Sequence, residues 1–144
     1  MNDTLEILIV DDDAVHRRAV RLNMAGWGYS VTEADDGEEA VRQAHLKTFD
    51  LILMDIRMTR MSGLEALEQI KKIQPAVPVI IMTAYASVET AVSAMKMGAD
   101  DYLTKPLNYD ELQIKIERTA ERRRLKNENE YLKERLGEKF DRRN

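Results

Sequence analysis

Three short stretches constrain this chain more than anything else in it: "EILIV" at 6–10, "DLILM" at 50–54 and "VPVIIM" at 77–82. Each carries apolar residues at consecutive positions. Side chains alternate between the two faces of a strand. A strand that is apolar throughout must therefore be covered on both sides, which is the condition of a parallel sheet between helical layers. "DYLT" at 101–104 is a fourth apolar run, and "YSVTEA" at 29–34 alternates as a half-buried strand does.

Helical segments separate these runs. Residues 14–25 place Val15, Ala19, Leu22 and Met24 on a helix ended by Gly26 and Gly28. Residues 37–46 follow "DDG", and Ser62-x-x-Glu65 reads as a capping box ahead of 63–73. Residues 88–97 follow Ser87 and stop at Gly98, a C-terminal cap. A fifth helix starts at Asn108, with Glu111 three residues on. Strands alternating with helices predict right-handed βαβ units: an α/β fold with a five-stranded parallel sheet and five helices, in a flavodoxin-like three-layer sandwich.

The 144 residues suit one domain with a real core. There is no cysteine, which excludes disulfides and thiolate metal sites. The N-terminus lacks the pattern of a signal peptide. No apolar run approaches the ~20 residues that cross a bilayer. A cytoplasmic protein without membrane contact is expected. The net charge of −4 is unevenly spread. Residues 1–117 hold 12 Lys/Arg against 20 Asp/Glu, whereas 118–144 hold 10 against 6. An acidic body thus precedes a basic tail.

In an open parallel sheet, ligands bind beyond the carboxyl ends of the strands. The first strand ends in Asp11-Asp12, the third in Asp55, the fourth in Thr83 and the fifth in Lys105-Pro106. Taken singly, each has a plainer reading as a cap, turn or strand residue, and capping is the role expected for Asp13. Together they set three carboxylates, a hydroxyl and an ammonium on one rim. Clustered carboxylates need a counter-charge. With oxygen ligands only, Mg²⁺ is the natural ion. A metal, a carboxylate nucleophile, a lysine and a hydroxyl are the parts of a phosphoryl-transfer site.

The motifs "LIVDDD" (8–13), "LILMDIRM" (51–58), "VIIMTAY" (79–85) and "DYLTKP" (101–106) resemble the response-regulator receiver domains of bacterial two-component signalling, over residues 5–120. The resemblance implies Asp55 as phosphoacceptor. It implies Mg²⁺ held by Asp11, Asp12, Asp55 and the backbone carbonyl of Arg57. Thr83 and Lys105 would bind the phosphoryl group, the Lys105–Pro106 peptide would be cis, and Tyr102 would be the switch aromatic that follows Thr83. A sensor histidine kinase is the implied partner. Where the family usually reads Met-Pro-x-Met-Asp-Gly, this chain has Met58-Thr59-Arg60-Met61-Ser62-Gly63, which predicts a more mobile loop. "TAYASVETAVSAMKMGADDYLTKPL" is most similar to the nitrogen-regulator class, which joins a receiver to an AAA+ ATPase acting on sigma-54 polymerase. That implies an AAA+ output domain beyond this piece of chain.

From 108 to 136 the last helix meets no Gly or Pro, and Gly137 is expected to break it. Leu125, Asn129, Leu132 and Leu136 are spaced 4-3-4, as in a short heptad seam. A solvated helix with internal ion pairs and a basic nucleic-acid helix are the other readings of this tail. The favoured one is a receiver at 1–120 and a coiled-coil linker at 121–144 that makes a homodimer, with no direct nucleic-acid binding. A haloacid-dehalogenase-like phosphatase is the main rival class, because it too joins an Asp nucleophile to Mg²⁺ and Lys. Its nucleophile, however, lies on the first strand as Asp-x-Asp, whereas here those carboxylates are contiguous. A dinucleotide fold would need G-x-G-x-x-G after the first strand, which is missing. Slow self-dephosphorylation, rather than turnover of a substrate, is expected, with Arg57 and Tyr85 tuning its rate. His16 and His45 are expected on helix surfaces away from the rim.

Overall fold

The computed structural model describes residues 4–58, 60–84 and 88–142. Five strands, β1 (Glu6–Val10), β2 (Ser30–Ala34), β3 (Leu51–Asp55), β4 (Val79–Thr83) and β5 (Asp101–Thr104), alternate with α1 (Ala14–Gly26), α2 (Gly37–Leu46), α3 (Gly63–Ile73), α4 (Val88–Lys96) and α5 (Tyr109–Arg142). All four strand pairings are parallel, in the order β2-β1-β3-β4-β5. The expected α/β sandwich is the fold observed.

The two layers follow from the period-2 alternation within the apolar runs. Leu8, Val10, Ile52, Met54, Val79 and Ile81 face one way and pack with Ala40 and Ala44 of α2, Ala66, Leu67 and Ile70 of α3, and Ala94 of α4. Ile7, Ile9, Leu51, Leu53, Ile80 and Met82 face the other way, against Val20 and Met24 of α1 and Leu112 and Ile116 of α5. Every residue of β3 and β4 is buried. Each such aliphatic side chain is worth about 1.5–3 kcal/mol. A one-residue slip would exchange the two layers, so the register is firmly set.

Local signals place the helix ends. The Asp13 carboxylate accepts the amides of Val15 and His16, Ser62 Oγ that of Glu65, and Asn108 Oδ1 that of Glu111. α4 closes at Gly98, whose φ of +104° favours glycine, with the Ala99 amide reaching back to Ala94 O. The expected cap at Ser87 and the expected loop mobility at Thr59 lie outside the described residues.

One boundary differs from expectation. α5 does not stop at Gly137 but continues to Arg142. Glycine inside a helix costs only about 1 kcal/mol relative to alanine. Among the described residues, nothing lies within 4 Å of where a Cβ on Gly137 would stand, so no neighbour forces a turn there. Along the 34 residues of this helix, Leu112, Ile116 and Thr119 are buried, and from Arg124 to Gly137 every residue is exposed.

Candidate functional site

The chain order of the strands reverses between β1 and β3, and this switch point opens a crevice at their carboxyl ends. Val10 pairs with Met54, so Asp11 and Asp55 occupy the next rung, side by side. Asp55 pairs in turn with Met82, which places Thr83 one step further on β4. The Thr83 carbonyl accepts the Lys105 amide at 2.9 Å, bringing the end of β5 to the same rim.

The side chains meet there. Lys105 Nζ donates to Asp55 Oδ2 at 2.5 Å and to Asp11 Oδ2 at 3.0 Å. Asp11, Asp12 and Asp55 each bring an oxygen within 4.8 Å of the others. Asp11, Asp55 and Thr83 are buried while Asp12 is exposed, so the cluster has a dry floor and an open mouth. The Arg57 amide folds back onto Asp55 Oδ1 at 3.1 Å, and the Lys105–Pro106 peptide is cis as expected. Tyr102 sits on β5 with its ring outward, 39% exposed, beside the Lys115 ammonium.

The two buried carboxylates are tuned in opposite directions. Burial raises the Asp11 carboxyl, but hydrogen bonds from His16, the Asp13 amide and Lys105 outweigh it and hold Asp11 below the usual range. At Asp55 burial wins over Lys105 and the Arg57 amide, and the neighbouring Asp11 charge adds to it, so this carboxyl is pushed up. Lys105 is half-buried, which disfavours its charge, yet its two carboxylate partners hold it protonated above the ordinary value. Asp55 is thus a buried carboxylate whose neighbours compete for one ammonium. A further cation would relieve that competition.

Three residues of this rim were not foreseen as part of it. His16, expected away from the site, instead lies 2.6 Å from Asp11 Oδ2 through Nδ1. α1 begins three residues past Asp11, so its first turn necessarily covers the rim. Arg17 on the same turn donates to Asp11 O at 2.7 Å and to Glu33 at 2.8 Å, securing the β1 end from outside. Gly63 opens α3 against Asp55: a Cβ there would stand 2.1 Å from Asp55 O and 2.7 Å from Ile56 Cα. The start of a helix directly after the β3 loop was a visible signal for this close approach. His45 is exposed on α2, as expected. Leu125, Asn129, Leu132 and Leu136 are not at the rim. They lie on the part of α5 past Arg123, which donates to Phe49 O ahead of β3, at the opposite end of the sheet. Tyr85 lies outside the described residues.

An oxygen-lined crevice at the switch point of a five-stranded parallel sheet is the place where an open α/β domain presents its ligand site. A family model described as "Response regulator receiver domain" matches residues 7–117, and the chain belongs to that family, the phosphorylation-dependent switch domains of two-component signalling. Among its relatives, it is 50% identical over 117 residues to transcriptional regulatory protein ZraR of Escherichia coli (strain K12), covering 81% of this chain and 26% of that protein. The chain thus spans about a quarter of the length of the curated relatives it matches. It superposes on NtrX from Brucella abortus with a TM-score of 0.84 and 33% identity, over 90% of this chain and 30% of that one. It is also similar to the receiver domain of sensor histidine kinase PA1611 from Pseudomonas aeruginosa PAO1, whose structure has a magnesium ion in the active site cleft. There the TM-score is 0.76 and the identity 34%, over 82% of this chain and 98% of that one.

Proposed function

We propose that Asp55 accepts a phosphoryl group from the phosphohistidine of a sensor histidine kinase in the cytoplasm. An Asp55 oxygen attacks phosphorus in line, the P–N bond breaks, and the imidazole leaves with the electron pair. An acyl phosphate results. The observation carrying this reading is the convergence of Asp11, Asp12 and Asp55 on the Lys105 ammonium at the switch point.

The donor set fits Mg²⁺: three carboxylate oxygens are grouped closely, with no nitrogen or sulfur among them. Asp11, Asp12, Asp55 and the Arg57 carbonyl would hold the ion, which supplies charge neutralisation at the transferring phosphoryl group. The chain's own groups do the rest. Lys105, already 2.5 Å from Asp55, pairs with a phosphoryl oxygen. Thr83 donates its hydroxyl to another. The Arg57 amide fixes the Asp55 rotamer. The phosphate adds roughly −1.5 to −2 charges. Drawing Thr83 toward it vacates space that the outward Tyr102 ring fills, which biases a two-state face formed by α4, β5 and α5.

Incubation with acetyl phosphate and Mg²⁺ should add one phosphoryl group to the chain by mass, and none to Asp55→Asn. Equal labelling of the variant would refute the assignment.

In the same reading, residues 1–120 are the receiver and 121–144 a coiled-coil linker to an AAA+ output domain of a sigma-54-dependent activator. Burial on α5 supports that division, because among the residues whose burial is described the last buried one is Thr119. Leu125, Leu132 and Leu136 are 50%, 56% and 63% exposed, an apolar stripe suited to a second copy of the helix. In sedimentation, residues 1–144 should associate more tightly than 1–120. Equal association would remove the linker from dimerisation.

A further inference from the structure

At the amino ends of the strands, opposite the acidic rim, a cavity of about 360 Å³ lies between the α3–β4 turn and α5. Lys71, Asp100, Thr119, Arg122, Arg123 and Lys126 line it, over walls from Pro75 and Pro78. Its charges do not balance. Lys71 lies 3.7 Å from Asp100, and Arg123 lies 3.5 Å from Asp50. Arg122 and Lys126 pair with no carboxylate among the described residues. Asp100 is also committed, since its Oδ2 accepts the Val79 amide at 2.8 Å. Two cations are therefore left over.

A second observation is independent of charge. Thr119 is 4% exposed, and its hydroxyl is buried without a hydrogen-bond partner among the described residues. Buried polar groups are paired in the great majority of cases, and an unpaired one calls for an explanation. A hydroxyl can donate to an oxyanion, and lysine and arginine are the usual phosphate ligands. A phosphate group carries up to two negative charges at neutral pH, matching the two surplus cations.

We propose that this cavity binds a phosphate-bearing anion, with Arg122 and Lys126 as its donors and Lys71 beside them, the Thr119 hydroxyl behind the wall joining them when the turn that carries it shifts to open it to the occupant. Burial pushes the Lys71 ammonium down, with a smaller push from the Lys126 charge, and Asp100 only partly offsets them. The location gives the ligand a role. Thr119 ends the buried stretch of α5, while Arg122 and Lys126 lie on its first exposed turns. An occupant would clamp those turns to the α3–β4 turn and set the direction in which the helix leaves the domain. The site depends on none of the phosphoacceptor residues.

Amide shifts of the full 144-residue chain, titrated without Mg²⁺, test this. Sodium phosphate should give saturable shifts at Lys71, Asp100, Thr119, Arg122 and Lys126, with a Kd of about 1 mM or tighter. Sodium chloride at equal ionic strength should not. Thr119→Val, which keeps the shape and removes the hydroxyl, and Lys126→Glu, on the surface, should each weaken binding about tenfold. Both should still label at Asp55. Parallel titration with AMP separates two sources: tighter binding than phosphate makes a nucleotide the ligand, equal binding makes it the phosphate alone, and either supports the site. Identical shifts with chloride, no shift with phosphate, or unchanged affinity in both variants would overturn it.

Discussion

Two lysines at opposite ends of one sheet show how surroundings, rather than depth, decide what a buried charge does. Lys105 at the carboxyl rim and Lys71 near the amino ends are similarly covered, with side chains 16% and 20% exposed. Burial opposes the charge of both. Lys105 touches two carboxylates and is held above the ordinary value of 10.5. Lys71 has one carboxylate at 3.7 Å and another lysine facing it, and is held below 10.5. One ammonium satisfies an anionic site, while the other belongs to a cationic site that is itself unsatisfied.

The largest expected effect of breaking this contrast is at Lys105. Lys105→Met leaves Asp11 and Asp55 adjacent, buried and without their counter-charge. Removing one partner of a buried pair costs 3–5 kcal/mol in comparable cases, so a loss of about 3 kcal/mol is expected by urea unfolding without Mg²⁺. A change below ~1 kcal/mol would mean that Lys105 adds little to the balance of this rim. Next comes Gly63→Ala. Its Cβ would overlap Asp55 O at 2.1 Å, and the obstructing atom is backbone rather than a flexible side chain. A loss of about 2 kcal/mol, typical of overpacking, should accompany slower phosphate incorporation, because the peptide that must move carries Asp55, the proposed phosphoacceptor. Unfolding midpoint and labelling rate together check this.

The anionic rim was largely legible in the sequence and the cationic end was not. Strands β1, β3 and β4 announced themselves as unbroken apolar runs, and the residue after each run marked the rim. Asp11, Asp55, Thr83 and Lys105 could therefore be placed together from the strand ends alone. His16 is hidden in the sequence because helical periodicity alone does not say which strand end the first turn of α1 covers. The sequence marks Gly63 only as a helix start, since its close approach to Asp55 depends on how α3 packs. The continuation of α5 beyond Gly137 reflects a weak local preference with nothing nearby to enforce it. Lys71, Asp100, Thr119 and Lys126 come from three separate elements with no shared pattern, so only the packing of α5 on the α3–β4 turn assembles them.

The finest test concerns the sign of a pH dependence. A lysine held below its unfolded value binds fewer protons when folded than when unfolded. In the window below pH 10.5 the unfolded chain therefore takes up more protons at Lys71, and stability rises with pH through that window. Lys105 acts the other way: its contribution is complete below pH 10.5 and fades as pH climbs above it. Lys71→Met should thus change stability at pH 7 by no more than about 1 kcal/mol, since the lost bond to Val77 O is offset by relief from burial and from Lys126. It should also flatten the rise expected of the parent chain in the window below pH 10.5. Urea midpoints across that range decide the matter. A parent chain whose stability does not rise there, or a variant with an undiminished slope, would show that the Lys71 ammonium is already matched by Asp100, and the two ends of the sheet would no longer differ in kind.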